Sequence, residues 1–262
     1  APAVMAARTL PNERQRRFTI MLVPFMSCGA KLPIYGLFAS VFFASHQGLV
    51  VLGLYLLGVA AAVCCGMLLK NTLFRSGEAP FLLELPPYRL PAPRDTLRHL
   101  WGRCEAFLAK AGTLIFTMTV VIWVLQRVTP GLTPAADPSQ SIFAALGRLV
   151  APALVPLGFG SWRAATALLA GLVAKEAVVS TLGQLYTAPG LPLQMALAAE
   201  FTPLSALSFM VFCLLYMPCI AAFAAIRREM NSLGWALASA FMQLTAAYLC
   251  ALGVYQLGRL LF

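Results

Sequence analysis

VVLGLYLLGVAAAVCCGMLL, residues 50–69, runs without one charged side chain. At 1.5 Å per residue a helix of that length covers about 30 Å, the thickness of a bilayer's hydrocarbon core. Backbone N–H and C=O groups find no water there, so such a segment bonds within itself and is helical. The wider run from Gly48 to Leu69 has counterparts elsewhere. No Lys, Arg, Asp or Glu occurs between Glu200 and Arg227, or between Glu229 and Arg259, and Ala111–Gln126 is a near-span. The predicted fold class is all-α: a polytopic α-helical membrane protein with several broken or re-entrant helices.

Composition agrees. Of 262 residues 60% are hydrophobic and 11% charged, and the mean hydropathy is +0.82. A soluble domain of this length has too little interior for that much apolar surface. The net charge of +10 invites a nucleic-acid partner, but its placement argues against one. Lys and Arg gather at Arg8–Arg17, Lys70–Lys110 and Arg227–Arg228, as cytoplasmic segments of a membrane protein do. Seven cysteines (28, 64, 65, 104, 213, 219 and 250), mostly inside apolar runs and with no CxxC, form neither a disulfide framework nor a structural zinc motif. No GxxxxGK[ST], HExxH or GxSxG is present, so neither P-loop nucleotide hydrolysis nor an intramembrane enzyme is indicated.

Along the chain, 1–17 reads as a cytoplasmic lead-in, with Thr9 as a cap and Pro11 at a helix start. Its Ala-Pro-Ala beginning suggests a piece of a longer protein. Residues 18–70 hold the first membrane segments: a helix interrupted by Pro24, Gly29, Pro33 and Gly36, then the clean span. Residues 71–110 pair a proline-rich loop, PPYRLPAPR, with an amphipathic stretch from Asp95 to Lys110. Leu97, Leu100, Trp101, Cys104, Phe107 and Leu108 share one face there, as in a helix lying at the membrane surface. Residues 111–262 form the main membrane domain: spans at 111–127, 164–187 and 233–258, a short broken segment at 141–160, and 204–226 broken at Pro218. That makes five to seven membrane segments, two or three of them discontinuous.

Charges and thiols inside these runs mark the chemistry. Lys175 and Glu176 lie within ALLAGLVAKEAVVSTLGQLY, where an unpaired charge costs several kcal/mol. Neighbours on a helix diverge by about 100°, so each needs its own partner. Glu176 suits a hard oxygen ligand or cation gate, and Lys175 an anchor for a neighbouring carbonyl or acid. Two broken segments, VPFMSCGAKLP (23–33) and LYMPCIAAFA (215–224), each set a cysteine beside Met and Pro. Broken helices expose carbonyls and helix ends, where ion sites form. Cys28 and Cys219 are thus candidate ligands for a borderline or soft metal, with Met26 and Met217 as supporting thioethers; the alternative for all four is apolar packing. Packing explains Cys64, Cys65, Cys213 and Cys250. His46 and His99 read as surface residues. Glu229, after Arg227 and Arg228, reads most simply as a solvated charge at a helix boundary, with gating as the lesser alternative.

Five co-linear segments, APAVMAARTLPNERQRR, PFMSCGAKLPIYGLF, WGRCEAFLAKAGTLIF, GLVAKEAVVSTLGQLY and YMPCIAAFAAIRRE, resemble the C-terminal membrane region of FeoB, the bacterial ferrous iron transporter family. The likeness covers the FeoB C-terminal segment and the second Gate-type domain, without the family's GTPase domain. It implies a multi-pass permease of the bacterial inner membrane that takes up Fe²⁺, with no permanently bound cofactor and no enzymatic activity of its own. The implied partners are Fe²⁺, the lipid bilayer, further copies of the chain, the GTP-binding domain of the longer protein, and small Feo accessory proteins. The implied metal path is Cys28, Cys219 and Glu176. Where relatives often carry Arg two residues after the Gly or Ser that follows the first cysteine, this chain has Lys31, which keeps the charge but not a bidentate fork. The alternative is a Gate-type carrier of a nucleoside or organic anion, or of Mn²⁺ or Zn²⁺; scarce Asn and Gln in the membrane runs disfavour the organic substrates.

Overall fold

The charge-free run at 50–69 lies inside one uninterrupted helix, Gln47–Thr72. The computed structural model describes residues 2–10, 12–74, 92–131, 133–134, 137–186 and 192–261, with the side chains of 99, 103, 106–108, 110, 111, 114, 115 and 261 left out. The helices are α1 Pro2–Ala6, α2 Glu13–Leu22, α3 Leu32–Phe42, α4 Gln47–Thr72, α5 Pro93–Arg127 and α6 Ile142–Leu154. They continue with α7 Trp162–Val173, α8 Ala177–Tyr186, α9 Leu193–Glu200, α10 Pro203–Leu215, α11 Ile220–Met230 and α12 Leu233–Leu261. The described residues contain no strand. Four stretches are long and apolar enough to cross a membrane: 13–42, 47–72, 203–230 and 233–260. A fifth results if 142–157 and 162–173, bent by 105°, count as one. The chain is an all-α, multi-pass membrane protein.

α10 is apolar on every side and sits at the centre, with Ser208 through Leu215 all buried. A helix without a polar face needs neighbours all round. α12 packs along it through small residues, Ala247 and Ala251, and Ser208 Oγ donates to Ala251 O at 3.1 Å. Phe38 of α3 meets Phe201 and Phe209, and Phe159 meets Phe209 and Phe212, in largely edge-on or tilted contacts that suit the ring quadrupole. The outer faces of α4 and α12 stay bare: Leu49, Leu56, Met67, Phe241, Leu249 and Leu260 are exposed. In lipid that exposure is the favourable state.

The ends of the bundle are told apart by their charges. At the basic end, Arg8 Nε donates to Glu229 Oε2 at 2.6 Å, Arg17 lies over the Trp235 ring and Phe18 meets Phe74. At the opposite end, Arg163 pairs with Glu200 at 3.2 Å and Gln256 Nε2 donates to Pro156 O at 3.0 Å. Gly158 turns the chain there at φ 87°, and a Cβ would run into the Tyr255 ring. Positive φ and that contact both demand glycine.

Several boundaries differ from the sequence-based expectation. The segment 164–187 is two helices, α7 and α8, parted at 174–176. They form a hairpin: Arg163 at the start of α7 lies 5.3 Å from the Tyr186 ring at the end of α8. The amphipathic stretch and the span after it are one helix, α5, crossing the expected 110/111 boundary. Leu97, Leu100, Trp101 and Cys104 are exposed on it; Phe107, Leu108 and His99 lie outside the described side chains. Asn12, not Thr9, caps α2, accepting from Arg14 N at 2.9 Å. Pro11 and most of the proline-rich segment fall outside the described residues. α9 was not expected. Glu229 is not solvated: it is 8% exposed and paired with Arg8, because the N-terminal turn folds back over α11.

Removing Arg8 leaves a buried carboxylate without its cation. Arg8 is itself part-exposed, so the expected loss is about 1 kcal/mol, a fall of roughly 2–4 °C in thermal midpoint for R8A. The exchange R8E/E229R should recover part of it; equal midpoints for parent and R8A in detergent would show the pair to be idle.

Candidate functional site

Proline 218 generates the site. In a continuous helix its N–H would bond the carbonyl four residues back, at Leu214; proline has none. α10 therefore stops at Leu215 and α11 starts after Cys219. The Leu214 carbonyl, among the last four of α10, has no partner within its helix, and the interior holds it away from water. Lys31 supplies the partner, its Nζ donating to Leu214 O at 2.6 Å. From the other side Lys175 Nζ donates to Met217 O at 2.9 Å and sits 3.0 Å from the centroid of the Tyr216 ring. Both lysines are 3% exposed. A cation at a helix C-terminus is favoured by the macrodipole, and one against an aromatic face by the ring's quadrupole.

Each lysine belongs to a break of its own. The first span is interrupted between Leu22 and Leu32 by two single turns, 23–25 and 29–31. Pro24 and Pro33 explain the interruption, since neither can continue a helical ladder. Lys31 ends the second turn and reaches across to α10. The second break is the tip of the α7–α8 hairpin, where Ala174 is extended (φ −143°, ψ 128°). No proline stands there. Three interruptions, at 23–31, 174–176 and 216–219, therefore meet at one place in the bundle.

Gly171 closes the packing around Tyr216. A Cβ there would overlap both Tyr216 Oη and Val178 Cγ2, so only glycine lets the hairpin approach α10 this closely. Tyr216 Oη donates to Leu168 O at 3.4 Å.

The thiols lie around this junction. Cys28 and Cys219 occupy the positions just before helical turns, at the starts of 29–31 and α11, with no side-chain cap bond. Cys28 is exposed, Cys219 half-buried and Cys213 buried, and all three are within electrostatic reach of Lys31 and Lys175. Ser27 Oγ and Tyr35 Oη are buried beside each other at this junction. Met217 provides the carbonyl bound by Lys175, while the Met26 side chain is exposed. Glu176 is exposed at the hairpin tip, on the opposite side of the turn from the buried Lys175. Glu229 belongs to the basic end, with Arg8, and His46 is on the surface beside Ser45. Among the described residues no three His, Cys, Asp or Glu side chains gather closely enough to hold a metal ion. Lys31, Tyr216, Ser27 and Tyr35 were not singled out from sequence as site residues. Lys31 was detectable: it is the only Lys, Arg, Asp or Glu between Arg17 and Lys70.

A separate cavity of about 450 Å³ is lined by Trp123, Gln126, Arg127, Ser141, Thr166 and Gln184, among others.

Residues 51–103 match the family described as ferrous iron transport protein B C terminus, and 108–233 match the Gate family, described as nucleoside recognition. The chain is 41% identical over 260 residues to a protein of Staphylococcus aureus strain MSSA476 named Fe(2+) transporter FeoB, covering 99% of this chain and 39% of that protein. A Methanocaldococcus jannaschii protein of the same name is 39% identical, with 100% and 40% covered. A Porphyromonas gingivalis protein named Fe(2+) transport protein A/Fe(2+) transporter FeoB fusion protein is 35% identical, with 100% and 36% covered. The chain thus spans about two fifths of the length of these relatives. No solved structure matches it.

Gly171→Ala should lower the thermal midpoint through overlap worth about 1–3 kcal/mol. Adding Tyr216→Phe, which removes the crowded Oη, should return part of the loss. Additive losses in the double variant would mean that the two residues do not share this contact.

Proposed function

We propose that this chain, which carries the C-terminal and Gate domains of FeoB, is the membrane permease part of a ferrous iron transporter. The observation that carries the proposal is the meeting of three broken segments at a thiol-lined, carbonyl-rich junction inside the bundle. The relatives named Fe(2+) transporters align over nearly the whole chain, junction included.

In this proposal Fe²⁺ sheds part of its hydration at the junction. Cys28 and Cys219, each before a helical turn, bind it through sulfur, which suits a borderline divalent metal. Each thiol that coordinates releases its proton to water. The exposed carboxylate of Glu176 meets the ion first and hands it on as the hairpin tip rocks against the two broken spans. A site with few ligands suits transport, which needs release as well as binding. The arginine-rich end, with Arg8, Arg17, Arg227 and Arg228, faces the cytoplasm of the bacterial inner membrane. A GTP-binding domain elsewhere in the complete protein regulates the step. Further copies of the chain and Feo accessory proteins are its protein partners, as the fused relative suggests for the latter. The chain itself catalyses no reaction and binds no nucleic acid.

The Gate match, described as nucleoside recognition, gives a second reading some support. The cavity beside Trp123, Gln126 and Gln184 offers a ring to stack on and amides to bond a base.

The test is metal uptake by the complete natural protein in vesicles. Cys28→Ser, Cys219→Ser and Glu176→Gln should each cut Fe²⁺ uptake by on the order of tenfold while insertion stays intact. Inserted variants that transport like the parent would remove these three residues from the path. Protein-dependent nucleoside uptake in place of Fe²⁺ uptake would favour the second reading, and preferred Mn²⁺ or Zn²⁺ uptake would change the metal.

A further inference from the structure

We propose that Lys31 and Lys175 are tethered cations that occupy two backbone carbonyls of the central junction, those of Leu214 and Met217, and by their charge turn alkali-metal ions away, so that a passing ion is held through the thiols. The proposal deepens the permease reading and rests on it for the path's location. A helix broken inside a membrane presents carbonyl oxygens, the donors that replace water around K⁺ in a selective pore. An unguarded break would therefore be a hard-ion site. Here two of these oxygens have an ammonium: Lys31 on Leu214 O at 2.6 Å and Lys175 on Met217 O at 2.9 Å.

Neither ammonium forms an ion pair with a carboxylate among the described residues; each is 3% exposed. The groups facing them are backbone dipoles, the Tyr216 ring and the thiols of Cys28, Cys213 and Cys219. An alkali ion entering the junction meets two positive charges and no vacant carbonyl at Leu214 or Met217. It gains nothing from sulfur, which it binds poorly. A borderline divalent metal meets the same charges but gains thiolate bonds, and each thiol's lost proton offsets one of the charges brought in. The lysines thus convert a carbonyl-lined break, which by itself favours hard ions, into one that selects for thiophilic ions. Two lysines from two different breaks, each on a carbonyl flanking the third, make this more than one salt bridge's worth of anchoring.

The experiment reconstitutes the complete protein as parent, K31M, K175M, K31R and K175R, and follows K⁺ flux with no transition metal present. The parent and the charge-retaining arginine variants should carry none above protein-free vesicles. Each Met variant should raise the flux at least about tenfold, the factor that ~1.4 kcal/mol of barrier supplies. Inserted Met variants with no flux above the parent's would overturn the proposal, as would arginine variants as leaky as the Met ones. Should the Met variants fail to insert, the parent decides through its thermal midpoint in K⁺, Na⁺ and N-methylglucamine at equal ionic strength. Equal midpoints are expected, and stabilisation by K⁺ or Na⁺ alone would mean that the carbonyls are open. Fe²⁺ uptake by the parent, run alongside, separates the two ideas: its absence sinks the permease reading and leaves K⁺ flux to judge the lysines.

Discussion

The bond from Lys31 to the Leu214 carbonyl is the constraint from which the rest of the junction follows. Pro218 removes the N–H that would have satisfied that carbonyl, and an unsatisfied carbonyl in a dry interior costs several kcal/mol. Only a mobile donor reaching in from another element can repair the loss without restoring the helix. A lysine can, because its long stem carries the charge to a chosen oxygen while its methylenes stay in apolar surroundings. Once Lys31 is committed there, the turn at 29–31 is fixed against α10, and Cys28 with it. The hairpin tip is fixed likewise by Lys175 on Met217 and by the Tyr216 ring between the two breaks.

Much of the architecture was legible because charge exclusion and proline leave plain marks. The runs before Arg227 and Arg259 fix two helical stretches, and Pro24, Pro33 and Pro218 mark two of the three breaks. The third break left no mark. ALLAGLVAKEAVVSTLGQLY contains neither proline nor a glycine at its interruption, and its local propensity is helical. What breaks it is tertiary: the Lys175 ammonium bonds a carbonyl on another element. Periodicity within a segment does not record a donor–acceptor match of that kind. The same limit hid Arg8 and Glu229, which are far apart in the chain and individually look like ordinary boundary charges.

Burial sorts the candidate residues in a way composition could not. Seven cysteines look alike in apolar sequence, yet Cys213 is sealed inside the central helix while Cys28 and Cys219 stand at the openings of helical turns. A thiol at the start of a turn stands where the helical rod is open, whereas one on the flank of α10 is enclosed by its neighbours. The sorting rests on where the helices end, and that in turn rests on the prolines.

The adjacent residues Lys175 and Glu176 show what a break accomplishes that a helix cannot. On a helix they would diverge by about 100° along one rod, both at the same depth in apolar surroundings. In the turn that follows extended Ala174 one is buried and the other exposed, so the ammonium is sealed against Met217 and Tyr216 while the carboxylate stays in the open. The buried side of this turn consequently carries the positive charge and its exposed side the negative one. In the proposed path a cation is drawn by Glu176, yet enters only if it forms bonds strong enough to outweigh two ammoniums. In that path attraction and selection reside on neighbouring residues of a single turn, closed by Ala177 N on Ala174 O.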